Sequence, residues 1–397
     1  MYLTVIVKEY YFRIDPYARE LETEILEILE NQVILKDTVF YPGGGGQPPD
    51  TGKISGPGFE ADIISAKKQG DLIIHSLSNV RGKLEKGTVK VTLDWDRRYA
   101  LMKAHTGEHI FFRALELLNP IHFEKVEFQP EESILFISGN VSFEQVKEAE
   151  DLANKKIRDA INIKVHFEDA DTISSDIRLK RDRIKEDTVR VVEIEGYDKS
   201  ACTGIHVKNT KEIEILVATK LKKAKYLEIY FRVGDFAREY LKRAVTELYN
   251  IEMLFNQTGP ELIKKIAATK NELETLKKKY YDLTSKMFNF EHLNFHSINF
   301  YWSVSDLGDF NGIEKRAQEL VNTENAIVLY GNQGEEKIFL LFSRSLSIDI
   351  QQVHKLIERY NQKGGGKGNF LMVTAQKEVF KDLFDSMKKF IIESFDK

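Results

Sequence analysis

The chain has 397 residues, a single cysteine, a formal net charge of −4 and a pI of about 6.2. A hydrophobic fraction of 42% and a charged fraction of 30% exclude a disordered or collagenous chain and fit a globular protein of several domains. Cys202 alone forms no intrachain disulfide, no apolar run is long enough to span a membrane, and the mild acidity weighs against a wholly basic nucleic-acid binder, so a cytoplasmic protein is expected.

Met1 to Phe12 lacks a basic opening and reads as a strand rather than a signal peptide. Residues 1 to about 95 are mainly β, with apolar and polar residues alternating over 33–40, 72–76 and 89–95. Between the first two lies F-Y-P-G-G-G-G-Q-P-P-D-T-G, residues 40–52, whose glycines and prolines make a loop. Residues 97–118 form one long helix, ended by Asn119-Pro120. A strand at 133–139 follows, and then Ser142-Phe143-Glu144-Gln145, a capping box that opens a helix to about Ile161. Residues 164–168 and 189–194 are strands; the second runs into a loop at 200–207, and β pattern continues to Arg232. Two basic runs, Arg178/Lys180/Arg181/Arg183/Lys185 and Lys220/Lys222/Lys223/Lys225, read as solvated faces.

From Asp235 the period changes. Ala237, Leu241, Ala244, Leu248, Ile251 and Phe255 recur in steps of four and three, and after a turn at 256–260 the pattern resumes from Leu262 to Met287. Two such helices make an antiparallel hairpin or a dimerising coiled coil. The last hundred residues read as α/β, with strands at 326–330 and 338–342 and a helix at 349–360. G-G-G-K-G-N-F at 364–370 then precedes a strand at 371–374 and a terminal helix.

His105 and His109, in H-T-G-E-H, are four apart on the long helix, which sets both imidazoles on one face. Cys202 and His206, in A-C-T-G-I-H, are also four apart, in a loop after a strand. One thiolate with imidazoles is the donor set zinc prefers. A nucleophilic Cys202 activated by His206 is the alternative for that pair. The remaining histidines, His75, His122, His166, His292, His296 and His354, read as surface or satisfied core residues. H-T-G-E-H also fits the inverted metalloprotease pattern, with Glu108 as base and Glu186 as a further ligand. A non-catalytic, zinc-stabilised binding or dimerisation module is the third reading.

The glycine-rich loop, H-T-G-E-H and V-R-V-V-E-I-E-G-Y-D-K-S-A-C-T-G-I-H-V-K-N-T-K-E-I stand in one order. Together they resemble the editing domain of alanyl-tRNA synthetases and its free-standing AlaX relatives, in the long form. The resemblance spans about residues 1 to 235, and more weakly the rest. It implies one zinc held by His105, His109, Cys202 and His206, and a small β-barrel whose loop brings Gln47 toward the pocket. It implies hydrolysis of the ester of tRNA(Ala) mischarged with serine, or sometimes glycine, acting in trans. Thr106-Gly107-Glu108 replaces T-A-T between the histidines, and C-T-G-I-H replaces C-G-G-T-H; both changes leave the ligands intact. Thr106 is a candidate to bind the substrate's serine hydroxyl, and Gln47 and Glu108 are further catalytic candidates, although helix geometry points Glu108 away from the histidine stripe.

The expected fold class is therefore α+β in four parts. These are a glycine-rich β-barrel subdomain (1–95), a zinc-binding editing core (96–234), a helical hairpin (235–289) and a DHH-associated-like α/β domain (290–397). A homodimer through the C-terminal region is expected.

Overall fold

In the N-terminal region the alternation of apolar and polar side chains closes on itself. A short helix, α1 (Tyr11–Ile14), leads into β1 (Glu20–Leu29), β2 (Gln32–Leu35), β3 (Gly52–Gly56), β4 (Phe59–Gln69), β5 (Leu72–Gly82) and β6 (Thr88–Leu93). These strands form a closed barrel in the order β1-β2-β5-β4-β3-β6, which removes sheet edges. Val89, Val91 and Leu93 of β6 turn inward while Thr88, Lys90 and Thr92 stay outside. The strand expected over 33–40 stops at Leu35. Beyond it the Asp37 carboxylate accepts from Tyr11 N (3.1 Å) and Thr38 N (2.7 Å), so the backbone bonds to a side chain instead of a ladder.

The computed structural model describes residues 10–179, 187–287, 290–295, 297–306 and 310–395. Of the strand expected over Met1 to Phe12, residues 1–9 lie outside the described residues, as do Lys180, Arg181, Arg183, Lys185, Glu186 and His296, while Tyr11 and Phe12 belong to α1, with Tyr11 N held by Asp37. The chain divides into two compact units, 1–249 and 250–397.

After the barrel comes α2 (Trp95–Leu118), which starts two residues before the sequence expectation because Asp94 caps it, accepting from Arg97 N at 3.3 Å. Next come β7 (His122–Glu127), β8 (Ser133–Ser138), α3 (Phe143–Arg158), β9 (Ile163–Asp169), β10 (Thr188–Ile194) and β11 (Asp198–Ala201). β12 (Leu216–Lys223) and β13 (Leu227–Val233) complete the sheets. The capping box of α3 is formed as expected, with Ser142 Oγ accepting from Gln145 N and Gln145 Oε1 accepting from Ser142 N. One sheet runs β12-β13-β8-β7 and another β11-β10-β9. A single apolar core runs from Phe12 through the barrel, α2 and α3 to Val233. Every residue of α2 from Leu101 to Phe112 is buried, so this helix has core on all sides over three turns.

α4 (Gly234–Phe255) and α5 (Gly259–Met287) occupy the heptad-patterned stretch. Leu241, Leu248, Leu273, Leu276, Tyr280 and Leu283 are exposed along them. The C-terminal unit then adds β14 (Glu291–Phe295), β15 (Ile298–Ser305), α6 (Phe310–Thr323), β16 (Ala326–Asn332) and β17 (Lys337–Phe342). It ends with α7 (Ile350–Arg359), β18 (Lys363–Lys367), β19 (Phe370–Thr374) and α8 (Lys377–Phe395). Its sheet has the order β14-β15-β16-β17-β19-β18, with β15 and β16 parallel across the α6 crossover. β16 is buried on both faces: Val328 and Tyr330 pack with Ile313 and Ala317 of α6, while Ile327 and Leu329 pack with Val353 of α7 and Leu383 of α8. The run Gly364–Gly366, read from sequence as part of a segment preceding a strand, is itself the edge strand β18. A Cβ on Gly366 would sit 2.0 Å from Phe370 O, so the close pairing requires glycine there.

Candidate metal centre

α2 carries His105 and His109 one turn apart, with ring centroids separated by 5.4 Å. The second pair comes from the chain leaving β11. Arg190, buried on β10, donates from Nη1 to Cys202 O (2.7 Å) and Gly204 O (3.0 Å), and Cys202 N donates to Arg190 O (3.1 Å). This clamp presents Cys202 and His206 to the helix. The donor atoms of His105, His109, Cys202 and His206 all lie within 4.8 Å of one another. Cys202 Sγ is 3.3 Å from His105 Nε2 and 3.3 Å from His206 Nε2.

The shell behind the imidazoles fixes which nitrogen carries the proton. Gln47 Oε1 accepts from Ile205 N (3.2 Å), so the His105 Nδ1 contact at 2.8 Å makes His105 the donor to that same oxygen. Thr106 Oγ1 donates to Met102 O (3.0 Å), so its 3.1 Å contact with His206 Nδ1 is a bond donated by the imidazole. His109 Nδ1 stands 3.5 Å from Asp198 Oδ2, an ion-pair separation rather than a formed hydrogen bond. His105 and His206 thus have formed acceptors behind Nδ1, leaving their Nε2 lone pairs for the shared space, while His109 Nδ1 faces the Asp198 carboxylate.

Electrostatics favour the ligand forms of Cys202 and His206. Burial pushes the Cys202 thiol up, but His105 and His206 outweigh it and hold it well below the ordinary thiol range. Burial, then His105, brings His206 down to about 3, so it is neutral. Burial would lower His109, but Asp198 and Cys202 raise it to about 10. A thiolate among imidazoles with oriented lone pairs is chemically suited to zinc.

The glycine-rich loop is tied to this centre from the barrel side. Gly44 and Gln47 exchange backbone bonds (2.9 and 3.0 Å) to close its turn, and Gly43 to Gly46 all have positive φ. A Cβ on Gly46 would fall 2.3 Å from Val126 O. Asp50 anchors the loop's far end: its carboxylate receives Tyr41 N (2.6 Å) and pairs with the fully buried Arg98 of α2, whose Nη2 also donates to Val39 O (2.6 Å). Loop and histidine helix are therefore locked together by a buried ion pair.

The expected catalytic residues are placed differently from one another. Gln47 reaches the centre as expected, and its Nε2 is buried with no hydrogen-bond partner. Thr106, expected at the substrate, is fully buried. Its hydroxyl serves Met102 O, His206 and Val207 N (3.2 Å), which leaves no donor for a substrate hydroxyl. Glu108, expected to point away, is buried beside the cluster with Oε2 4.0 Å from His109 Nε2 and Oε1 without a partner. Burial raises its carboxyl above the usual range. Gly107 between them faces Val233, where an added Cβ would come within 3.0 Å of a methyl. Arg190 and Asp198 lie within the third motif without standing out in it; an arginine between Val189 and Val191 is the available signal for the first.

His75 is a satisfied core histidine, as expected: Nε2 contacts Thr38 Oγ1 (2.9 Å) and Nδ1 contacts Val33 O (3.3 Å).

Two family models match the chain. That of class II (A) tRNA synthetases covers residues 12–98, and that of the threonyl and alanyl tRNA synthetase second additional domain covers residues 189–225. The chain is similar along most of its length to an alanyl-tRNA editing protein. This is AlaX-L of Pyrococcus horikoshii, 26% identical over 389 residues, which are 92% of this chain and 93% of that one. Alanine–tRNA ligases match as well. That of Ignicoccus hospitalis is 28% identical over 92% of this chain and 41% of the ligase. That of Metallosphaera sedula is 25% identical over 95% of this chain and 43% of the ligase. The chain thus spans less than half the length of these ligases. The first matched segment holds Gln47 and Asp50, the second holds Arg190, Asp198, Cys202 and His206, and His105 and His109 of α2 lie between them in sequence.

Proposed function

We propose that this protein is a trans-editing deacylase that hydrolyses the ester of mischarged tRNA(Ala), seryl first and glycyl second, at a zinc centre formed by His105, His109, Cys202 and His206. The observation that carries the reading is the meeting of the two matched segments at one point. Gln47, from the first, bonds to His105 of α2 and to Ile205 N in the second, 158 residues away. The near end-to-end likeness to AlaX-L supports alanyl-tRNA as the substrate.

The chemistry zinc supplies when bound is Lewis acidity toward a carbonyl oxygen or water. The chain's own residues supply the rest. The unpartnered Gln47 Nε2 donates to the oxygen on which charge develops. Glu108, buried beside His109, takes the proton of the attacking water and returns one to the departing ribose hydroxyl. Thr106 acts through His206 as a positioning residue, so selection of serine rests on other groups.

The division into barrel (1–95), editing core (96–234), helical hairpin (235–289) and DHH-associated-like domain (290–397) belongs to the same reading. So does a homodimer through the C-terminal region, supported by the exposed apolar positions of α4 and α5. The described helices include none long and apolar enough to cross a membrane.

The test is deacylation of tRNA(Ala) charged with serine, glycine or alanine. Rapid loss of the seryl ester, with the alanyl ester spared, is expected. Survival of all three esters would favour a non-catalytic zinc module instead.

A further inference from the structure

Of the three clustered histidines, one backs onto a charge. His105 and His206 rest on neutral acceptors, the Gln47 amide and the Thr106 hydroxyl. His109 Nδ1 faces, at an ion-pair separation of 3.5 Å, the carboxylate of Asp198, which is 6% exposed. That carboxylate is itself held. Arg178 Nη2 donates to Oδ2 at 2.9 Å and Ser200 Oγ donates to the same oxygen at 2.8 Å. The Arg178 guanidinium lies 4.7 Å over the Phe112 ring, one turn beyond His109 on α2. Asp198 and Ser200 share the buried face of β11, while Lys199 between them turns to Asp176 outside. The β10–β11 turn is pinned separately, by Tyr197 Oη donating to Ile110 O at 3.2 Å.

We infer that Asp198, oriented by Arg178 and Ser200, is a positioning residue that holds the proton on His109 Nδ1 and makes His109 the strongest imidazole donor of the cluster. A carboxylate behind a ligating imidazole fixes its tautomer and ring orientation and raises its basicity; a neutral acceptor does the first two but less of the third. The guanidinium keeps the buried carboxylate ionised, so its charge is available to the imidazole. The inference rests on the metal reading above and not on the identity of the substrate.

The experiment measures zinc affinity of the full-length protein by competition with a chelator, with thermal melting of the metal-free form alongside. The variants are Asp198→Asn, Asp198→Ala and Tyr197→Phe. Asp198→Asn keeps the shape and removes the charge; Tyr197→Phe loosens the same hairpin and leaves Asp198 in place. We expect about a ten- to hundredfold loss of zinc affinity in Asp198→Ala, a smaller but clear loss in Asp198→Asn, and a change within about twofold in Tyr197→Phe. Should Asp198→Ala fail to fold, Asp198→Asn decides against Tyr197→Phe. Wild-type affinity in Asp198→Asn, or an equal loss in Tyr197→Phe, overturns the inference. A wild-type protein that binds no zinc overturns the metal reading itself, which separates the two failures.

Discussion

The two units of this protein treat buried polarity in opposite ways. Residues 1–249 bury Asp50, Arg98, Lys103, Glu108, Glu150, Arg190 and Asp198 together with His75, His105, His109 and His206. The described core of residues 250–397 holds no charged side chain; the amide of Asn332 and the hydroxyl of Ser343 are among its buried polar groups. Burying a charge costs several kcal/mol unless it is paired and hydrogen-bonded. A fold needs none of this to be stable, as the C-terminal sheet illustrates. In the first unit Asp50 with Arg98, Arg190 and Asp198 position a loop, a helix and a hairpin around one point, and such clustering marks a candidate functional site; Lys103, Glu150 and His75 have partners elsewhere.

Several substitutions would break or sharpen that contrast. The largest effect is expected at Gly204, where an added Cβ would lie 2.1 Å from His105 Cε1. Gly204→Ala should lower zinc content to near nothing and deacylation by more than about a hundredfold, which metal analysis and initial rates would show. Gly365→Ala in β18 meets nothing within 4 Å and should leave stability within about 0.5 kcal/mol of wild type. Next is the buried ion pair. Asp50→Ala strands the Arg98 guanidinium and should cost about 3–5 kcal/mol, while Ser343→Ala, which removes a partner of Ala326 N, should cost about 1–3 kcal/mol. Trp95 and Trp302 fall one in each unit, so urea melts of single-tryptophan variants read the two units apart.

A smaller effect concerns acid. Burial lowers His75 to about 4, against an ordinary value of 6.5. The unfolded chain therefore takes up this proton first. Stability from His75 is complete above pH 6.5 and declines by about 3 kcal/mol in all as pH falls to about 4. His75→Asn should flatten that part of the Trp95-reported pH profile; an unchanged slope would place the acid sensitivity elsewhere.

The sequence displayed the four clustered donors because two of the pairs are local, four residues apart on a helix and in a loop. It displayed β2, β5 and β6 of the barrel, whose period-2 alternation survives closure, and left β1, β3 and β4 unplaced within a region that reads as mainly β. It hid what lies behind the donors. Asp198 and His109 are 89 positions apart, and Arg190 looks like an ordinary strand residue until its guanidinium is seen on the Cys202 and Gly204 carbonyls. Glu108 misled for a physical reason. Helix geometry points it away from the histidine stripe, but α2 has no exposed side over Leu101 to Phe112, so it stays buried beside the cluster. Thr106 misled because a hydroxyl beside a ligand can face the backbone of its own helix as easily as a substrate. The Gly364–Gly366 strand went unread because glycines there allow close pairing that no apolar pattern records.

Under the proposed function, the cluster of His105, His109, Cys202 and His206 is a metal-dependent ester-hydrolysing site. The most direct measurement is a zinc titration of seryl-tRNA(Ala) deacylation, starting from chelated wild-type protein and from His109→Ala. The chelated wild type is expected to be inactive and to regain its full rate at one equivalent of zinc, and His109→Ala to regain little. A chelated protein that deacylates at the full rate, or a His109→Ala variant that does, would contradict it.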